Sequence, residues 1–141
     1  MGPGSSTTFD LNSAGNLTIL GTLTQNSKRD TKENFKSINP VETLSKVLHL
    51  PISSWNFKFD SSSVRHMGPM AQDFRAAFGL GKNETSIAPL DTVGVALSAI
   101  QGLHQMIEER DKTIDTLKED NEKLEKQLDQ IRQRLTRLET L

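Results

Sequence analysis

The stretch that decides the fold runs from Ile100 to Leu138 and reads IQGLHQMIEERDKTIDTLKEDNEKLEKQLDQIRQRLTRL. Its aliphatic residues recur at alternating intervals of three and four, which is the heptad spacing of a coiled coil. Because an untwisted helix drifts by about 20° per heptad from this spacing, a helix on a globular core rarely keeps it over six heptads. With Ile100 at heptad position a, the a and d positions are Ile100, Leu103, Ile107, Arg110, Ile114, Leu117, Asn121, Leu124, Leu128, Ile131, Leu135 and Leu138.

Two polar residues in this seam and one terminal pair indicate how the helices associate. Asn121 at position a weakens the seam but penalises misaligned partners, so it favours parallel chains in register. Arg110 at position d costs stability unless its guanidinium reaches solvent or a neighbouring carboxylate such as Glu109. Arg134 at g and Glu139 at e flank the last seam residues, in an arrangement that resembles a known trimerisation pattern. Residues 92–141 are therefore predicted to form a parallel trimeric coiled coil, with a dimer as the alternative.

The N-terminal region has the pattern of short strands. Residues 1–5 look like a cloning remnant and are set aside. In residues 6–26, apolar and hydroxyl side chains alternate around Leu17 and Ile19, between Gly15 and Gly21. This alternation predicts short strands joined by tight turns, and a flexible linker is the alternative. Since one small strand pair is not stable alone in water, three copies of residues 6–26 wound around a shared axis are expected to hold these strands together.

Residues 27–91 are predicted to form a small mixed α/β head. Residues 27–38 are polar and charged, which is typical of a solvated loop. Asn39 and Pro40, with Glu42 three residues after Asn39, predict the start of a helix that Pro51 ends. The alternation of Trp55, Phe57 and Phe59 with polar residues predicts a half-buried strand, which a turn at residues 60–63 follows. Residues 70–78 are predicted to form a short helix that Gly79 ends, and Pro89 and Asp91 mark the next helix start.

Composition excludes several classes of function. The net charge of −1, with basic and acidic residues interleaved, argues against a nucleic-acid partner. No apolar run is long enough for a transmembrane helix, so membrane insertion is not expected. The chain has no cysteine, and its three histidines lack metal-ligand spacing. No cofactor and no metal are predicted, and the expected partners are two further copies of the chain.

Four blocks of residues carry a resemblance to a known family. They are Ser27 with Lys32-Glu33-Asn34-Phe35, then Ser54-Trp55-Asn56-Phe57, then Gly68-Pro69-Met70-Ala71-Gln72-Asp73-Phe74, and finally Gly94-Val95-Ala96-Leu97-Ser98-Ala99-Ile100-Gln101-Gly102-Leu103. Over residues 26–105 the chain resembles the C-terminal intramolecular chaperone domain of phage endosialidases and tail fibres, a Ser–Lys self-cleaving family. The resemblance implies a domain that registers three chains, helps the upstream β-shaft to fold, and then cuts itself off.

The resemblance also implies which residues cut. Ser27 would be the nucleophile, Lys32 the base, and Asn26–Ser27 the scissile bond, so the chain would be a single-turnover endopeptidase. A serine hydroxyl needs a base to take its proton, and a lysine accepts one only when it is neutral, which burial or nearby cations favour. The sequence departs from many relatives, which have Asp directly after the Ser, because Lys28 follows it here. Residues that could line the cleavage site are His66, Gln72 and Asp73.

The expected fold class is therefore α+β: an elongated homotrimer with a short β-shaft segment, a small head and a long parallel coiled coil. The expected setting is a phage tail-fibre precursor or a bacterial surface or secreted fibre, from which the module is released. One alternative is a permanent C-terminal trimerisation or tip module that is never cleaved. A third interpretation is the self-cleaving segment of a membrane-tethered transcription factor, and the fibre-like residues 15–26 argue against it.

Overall fold

The computed structural model describes residues 9–13 and 15–140. The predicted cloning remnant and the first residues of the predicted shaft lie outside them. The chain is α+β, as predicted, with two two-stranded antiparallel sheets and one long helix. It divides into one unit of residues 1–37 and 53–68 and a second of residues 38–52 and 69–141. The elements are β1 (Phe9–Leu11), β2 (Leu17–Ile19), a 3-10 turn (Arg29–Thr31), α1 (Pro40–His49), β3 (Ser53–Trp55), β4 (His66–Gly68), α2 (Ala71–Phe78) and α3 (Pro89–Glu139).

The first hairpin confirms the strands predicted near the N-terminus. β1 and β2 pair antiparallel, with Leu11 opposite Leu17. Gly15 adopts a φ of 85° in the turn, which glycine tolerates because it has no Cβ. β2 ends at Ile19, although the alternation of the sequence continues to Leu23. Leu11 and Leu17 are exposed by 62% and 51%, so the hairpin leaves this leucine pair unburied within one chain.

The second hairpin corrects the predicted aromatic strand. β3 pairs antiparallel with β4, so that Trp55 lies opposite His66, but β3 ends at Trp55. Phe57 and Phe59 lie in the connection, where their rings stack with centroids 4.9 Å apart. The strand is shorter than predicted because the Phe57 carbonyl accepts a 3.1 Å hydrogen bond from the Asp60 backbone N–H, which closes a turn. Phe57 and Phe59 are therefore exposed, not part of a core.

The second unit begins with two helices whose ends the sequence predicted. The Asn39 side chain caps α1 by accepting hydrogen bonds from the backbone N–H groups of Val41, at 3.0 Å, and Glu42, at 3.3 Å. Pro40 occupies the first helical turn, where no N–H is needed. α2 buries Phe74 and ends at Gly79, which has a φ of 66°. These caps confirm the predicted helix boundaries to within a residue.

α3 is a continuous helix of 51 residues, or about 76 Å at 1.5 Å per residue. It begins at Pro89, where Pro89 and Asp91 predict the start of a helix. α1 packs on its first part, where Ala99 and Gly102 are buried. A Cβ at Gly102 would fall on the Pro40 carbonyl oxygen and 2.6 Å from its carbon, so the two backbones meet there. Ile100 and Leu103 do not share this contact and are exposed by 63% and 49%.

Candidate functional site

The candidate site is a turn that brings Ser27 and Lys32 together. The Lys32 ammonium Nζ donates a 2.7 Å hydrogen bond to the Ser27 Oγ, across five residues. Between them, residues Arg29–Thr31 form a single 3-10 turn, which folds the chain back on itself. The loop predicted for residues 27–38 thus has one ordered turn, and that turn pairs the two residues that the resemblance assigns to catalysis.

Four further hydrogen bonds hold the turn. The Asn26 side-chain Oδ1 accepts a 3.1 Å hydrogen bond from the Lys28 backbone N–H. The Lys28 carbonyl accepts from the Thr31 hydroxyl, at 2.8 Å, and from the Thr31 backbone N–H, at 3.4 Å. The Lys32 backbone N–H donates to the Arg29 carbonyl at 3.1 Å. Within the described residues, the hydrogen bonds that hold the pair all lie between residues 26 and 32.

The turn is exposed and cationic in the single chain. Ser27 and Lys32 are both exposed. Lys28 and Arg29 lie on the same turn, and the Arg29 guanidinium stands 5.8 Å from the centre of the Phe35 ring. In its ground state the Lys32 ammonium donates to Ser27. Catalysis would require the reverse, in which a neutral amine accepts the hydroxyl proton.

His66 belongs to the same unit and lies among aromatic rings. Its ring centroid is 4.9 Å from that of Trp55 and 5.4 Å from that of Phe57, and its Nε2 is 4.0 Å from the Asp60 Oδ2. Among the described residues no hydrogen bond or ring contact joins His66 to Ser27 or Lys32. Its role in lining the cleavage site stays a prediction.

Gln72 and Asp73 lie in the first turn of α2, in the second unit. Gln72 is exposed and Asp73 is half-buried. A carboxylate in the first turn of a helix interacts favourably with the helix dipole, which accounts for Asp73 without a catalytic role. Their predicted place near the cleavage site stays a prediction.

Sequence reasoning missed two residues that brace the first unit. Thr31 closes the 3-10 turn, and Arg65 joins β3 to the segment before β4. The Arg65 guanidinium donates to the Ser54 carbonyl at 2.6 Å, to the Ser54 hydroxyl and to the Asn56 side chain. Arg65 and Ser54 are eleven residues apart, so no local sequence pattern predicts this contact. Thr31 could have been found from the preference of threonine hydroxyls for turn carbonyls.

The predicted seam residues all lie on α3 and are all exposed in the single chain. Every residue from Leu103 to Thr140 is exposed. Asn121, Arg110, Arg134 and Glu139 are among them, and the latter three form no ion pair within the described residues. The predicted register and interchain pairs therefore stay predictions.

No cluster of three or more His, Asp or Glu side chains with the arrangement of a metal site occurs within residues 9–13 and 15–140. Within the same ranges, no helix has both the length and the apolar composition needed to cross a bilayer.

Comparison with known proteins confirms the resemblance. Residues 27–79 match the model of a peptidase family described as chaperone of endosialidase. The match begins at Ser27 and includes Lys32, both β3 and β4, and α2. No curated protein sequence matches the chain.

Proposed function

We propose that this chain, whose residues 27–79 match the family described as chaperone of endosialidase, is the intramolecular chaperone of a homotrimeric fibre protein. It brings three chains into register, assists folding of the β-shaft upstream, and is released by autoproteolysis between Asn26 and Ser27. The fibre would belong to a phage virion or to a bacterial surface or secreted adhesin. The observation that carries the proposal is the 2.7 Å contact between Lys32 Nζ and Ser27 Oγ at the first residue of the family match.

The contact supports a definite reaction. Neutral Lys32 takes the hydroxyl proton while Ser27 Oγ attacks the Asn26 carbonyl carbon. The bond from that carbon to the Ser27 nitrogen then breaks, and the nitrogen receives the proton from Lys32. This acyl shift leaves an ester between Asn26 and the Ser27 oxygen. Water hydrolyses the ester, which leaves a carboxylate on Asn26 and a free amine and hydroxyl on Ser27.

The exposure of the pair supports a coupling of cleavage to assembly. A lysine in water holds its proton, and it becomes a base when burial or neighbouring cations disfavour its charged form. Lys28 and Arg29 supply cations on the same turn. The single chain leaves Lys32 exposed, so the burial must come from the packing of neighbouring chains. Cleavage would then follow trimer formation.

The proposed trimer rests on apolar surface that one chain leaves exposed. The aliphatic seam of α3 has exposed fractions between 47% and 69% from Ile107 to Leu138. α1 covers Ala99 and Gly102 and leaves Ile100 and Leu103 free, so the seam stays open to partner helices along its whole length. Arg134 at g and Glu139 at e would then pair between neighbouring chains.

The proposed coiled coil would help an interwound β-shaft to fold. Such a shaft has mostly interchain contacts, and contacts between distant segments form slowly. A coiled coil at one end raises the effective concentration of the three shaft segments. Once the coiled coil has been removed, the unfolded shaft can no longer refold by this route, so the persistence of the fibre depends on its unfolding barrier.

Intact-mass spectrometry of the purified chain tests the cleavage. We expect two fragments, one that ends at Asn26 and one that begins at Ser27. Ser27→Ala and Lys32→Met should each yield a single species of full mass, because one lacks the nucleophile and the other the base. Lys46→Met is the matched control, since Lys46 pairs with Glu42 on α1, and it should cleave normally.

The second candidate function is a permanent trimerisation or tip module. It would keep the same seam without the reaction. A wild-type chain of full mass, unchanged by Ser27→Ala after prolonged incubation of the assembled protein, favours this function over self-release.

A further inference from the structure

We infer that Thr31, together with the side chain of Asn26, is a positioning residue that holds Ser27 and Lys32 in contact by fixing the backbone of Lys28. The expected effect on the cleavage rate rests on the proposed function. The positioning itself rests on the hydrogen bonds of the turn. Neither side chain touches the Ser27 hydroxyl, so both act through the residue between them.

The Thr31 hydroxyl makes the shorter of the two hydrogen bonds to the Lys28 carbonyl. The hydroxyl donates at 2.8 Å, whereas the Thr31 backbone N–H donates at 3.4 Å, close to the limit for such a bond. A 3-10 turn of three residues has weak backbone geometry of its own. The side chain of Thr31 therefore supplies the shortest of the hydrogen bonds that close this turn, ahead of the 3.1 Å bond from the Lys32 N–H to the Arg29 carbonyl.

The Asn26 side chain holds Lys28 from the other end. Its Oδ1 accepts from the Lys28 N–H at 3.1 Å, which bridges over Ser27. Asparagine commonly makes this kind of turn with the backbone two residues on. Ser27 thus lies inside a closed ring, and the N–H and C=O of Lys28 are both bound by side chains. These two bonds hold the backbone that follows Ser27.

The contact between Ser27 and Lys32 exists only while the turn is closed. In an extended chain, residues 27 and 32 would stand about 17 Å apart. No described element outside residues 26–32 hydrogen-bonds to either side chain. An open turn would therefore release Lys32 into solvent and remove the base from the nucleophile.

Single-turnover cleavage of the full chain is the first test. Thr31→Val keeps the β-branched shape and removes the hydroxyl, and we expect it to slow cleavage about tenfold, which is what a typical net hydrogen bond accounts for. Thr31→Ser restores the hydroxyl and should restore most of the rate. Thr116→Val removes a similar hydroxyl bond, 3.0 Å to the Lys112 carbonyl on α3, and should leave the rate unchanged.

The pH profile separates positioning from an effect on the ionisation of Lys32. Raising the pH increases the neutral fraction of any lysine amine. A variant whose defect is ionisation would regain its rate at high pH, whereas a misplaced amine stays misplaced. We expect the ratio of wild-type to Thr31→Val rates to stay constant as the pH rises. A ratio that falls to one at high pH overturns the inference.

A second measurement reads the contact without cleavage. The chain has no cysteine, so Ser27→Cys introduces a single thiol. An adjacent ammonium lowers the pKa of a thiol, and the pH dependence of alkylation by iodoacetamide reports that pKa. Adding Lys32→Met gives the reference without the ammonium, while Lys28, Arg29 and Asp30 remain in both. We expect Thr31→Val to move the thiol pKa of the intact Ser27→Cys chain toward this reference and Thr31→Ser to leave it low.

The two measurements distinguish failure of the inference from failure of the proposed function. If the wild-type chain is never cut but the thiol pKa still depends on Thr31, the proposed cleavage is wrong and the positioning role of Thr31 stands. A thiol that titrates like the Lys32→Met reference shows that the contact is absent, and the inference fails. It also fails when Thr31→Ser is as slow as Thr31→Val, or when cleavage slows while the thiol pKa is unchanged.

Discussion

The two parts of α3 bury their apolar residues to different extents. The proximal segment, residues 89–102, packs against α1 and buries Ala99 and Gly102. The distal segment, residues 103–139, has only exposed residues, although its aliphatic content is as regular as that of any core helix. The proximal segment buries residues within its own chain, whereas the apolar stripe of the distal segment is exposed to solvent.

The difference indicates which part of α3 the proposed trimer would stabilise. The distal segment is held alone by backbone hydrogen bonds and by surface pairs such as Lys118 with Asp115 and Lys123 with Asp120. Such pairs contribute about 0.3–0.5 kcal/mol each, which is too little to order a long helix in water. In the proposed trimer, association of the stripe would supply the remaining stability. Variants that affect one segment and spare the other test this division.

The largest effect is expected from a charge in the distal stripe. Leu124→Asp would place three carboxylates against one another in the proposed trimer, and even Leu→Ala at a packed core site costs about 2–5 kcal/mol. In a Ser27→Ala background, which keeps the chain whole, light scattering should give three times 15.7 kDa for the parent and a single chain for Leu124→Asp.

The matched control for this variant is Lys126→Asp, which places the same charge at heptad position f, away from the stripe. It should remain trimeric. A parent mass of one or two chains contradicts the trimer, and a trimeric Leu124→Asp contradicts the assignment of Leu124 to the seam.

An intermediate effect is expected in the proximal segment. Gly102→Ala would press a methyl group onto the Pro40 carbonyl, and overpacking of this kind costs about 1–3 kcal/mol. Gly94→Ala, in the same segment, meets nothing within 4 Å and should stabilise the chain by about 0.5–1 kcal/mol because alanine suits a helix better. Urea denaturation of both variants gives the comparison, and equal stabilities would refute the close approach of α1 and α3.

The smallest effect is expected at the start of α1. Asn39→Ala removes the side chain that accepts from Val41 and Glu42, and the loss of an N-cap costs about 1 kcal/mol. Asn39→Asp keeps an acceptor and should unfold at nearly the wild-type temperature. Thermal denaturation followed by circular dichroism measures both, and an Asn39→Asp variant as unstable as Asn39→Ala would argue against the cap.

The features that the sequence predicted well are those that neighbouring residues determine. The cap at Asn39, the end of α2 at Gly79 and the start of α3 at Pro89 each depend on one or two residues and their backbone preferences. The length of α3 followed from its heptads. The pairing of Ser27 with Lys32 came from the family resemblance, since a serine and a lysine in a charged loop have no distinctive pattern.

The features that were missed depend on contacts between distant residues. The alternation of Trp55, Phe57 and Phe59 predicted a longer strand, and a backbone turn at Phe57 competed with it. Gly102 stood in a family motif, but only the packing of α1 explains why no side chain fits there. Thr31 was passed over because a hydroxyl in a polar loop looks the same whether or not it closes a turn.

The close approach at Gly102 also sets the rotational phase of α3. Ala99 and Gly102 point to α1, and Ile100 and Leu103 follow one residue later, about 100° around the helix. An insertion of one residue below Leu103 would turn the distal stripe by that angle and misalign it with Ile100. An insertion of seven residues would lengthen the rod by about 10 Å and keep the phase to within about 20°. The helix can therefore change length by a whole heptad and keep its stripe aligned, whereas an insertion of one residue would rotate the stripe relative to α1.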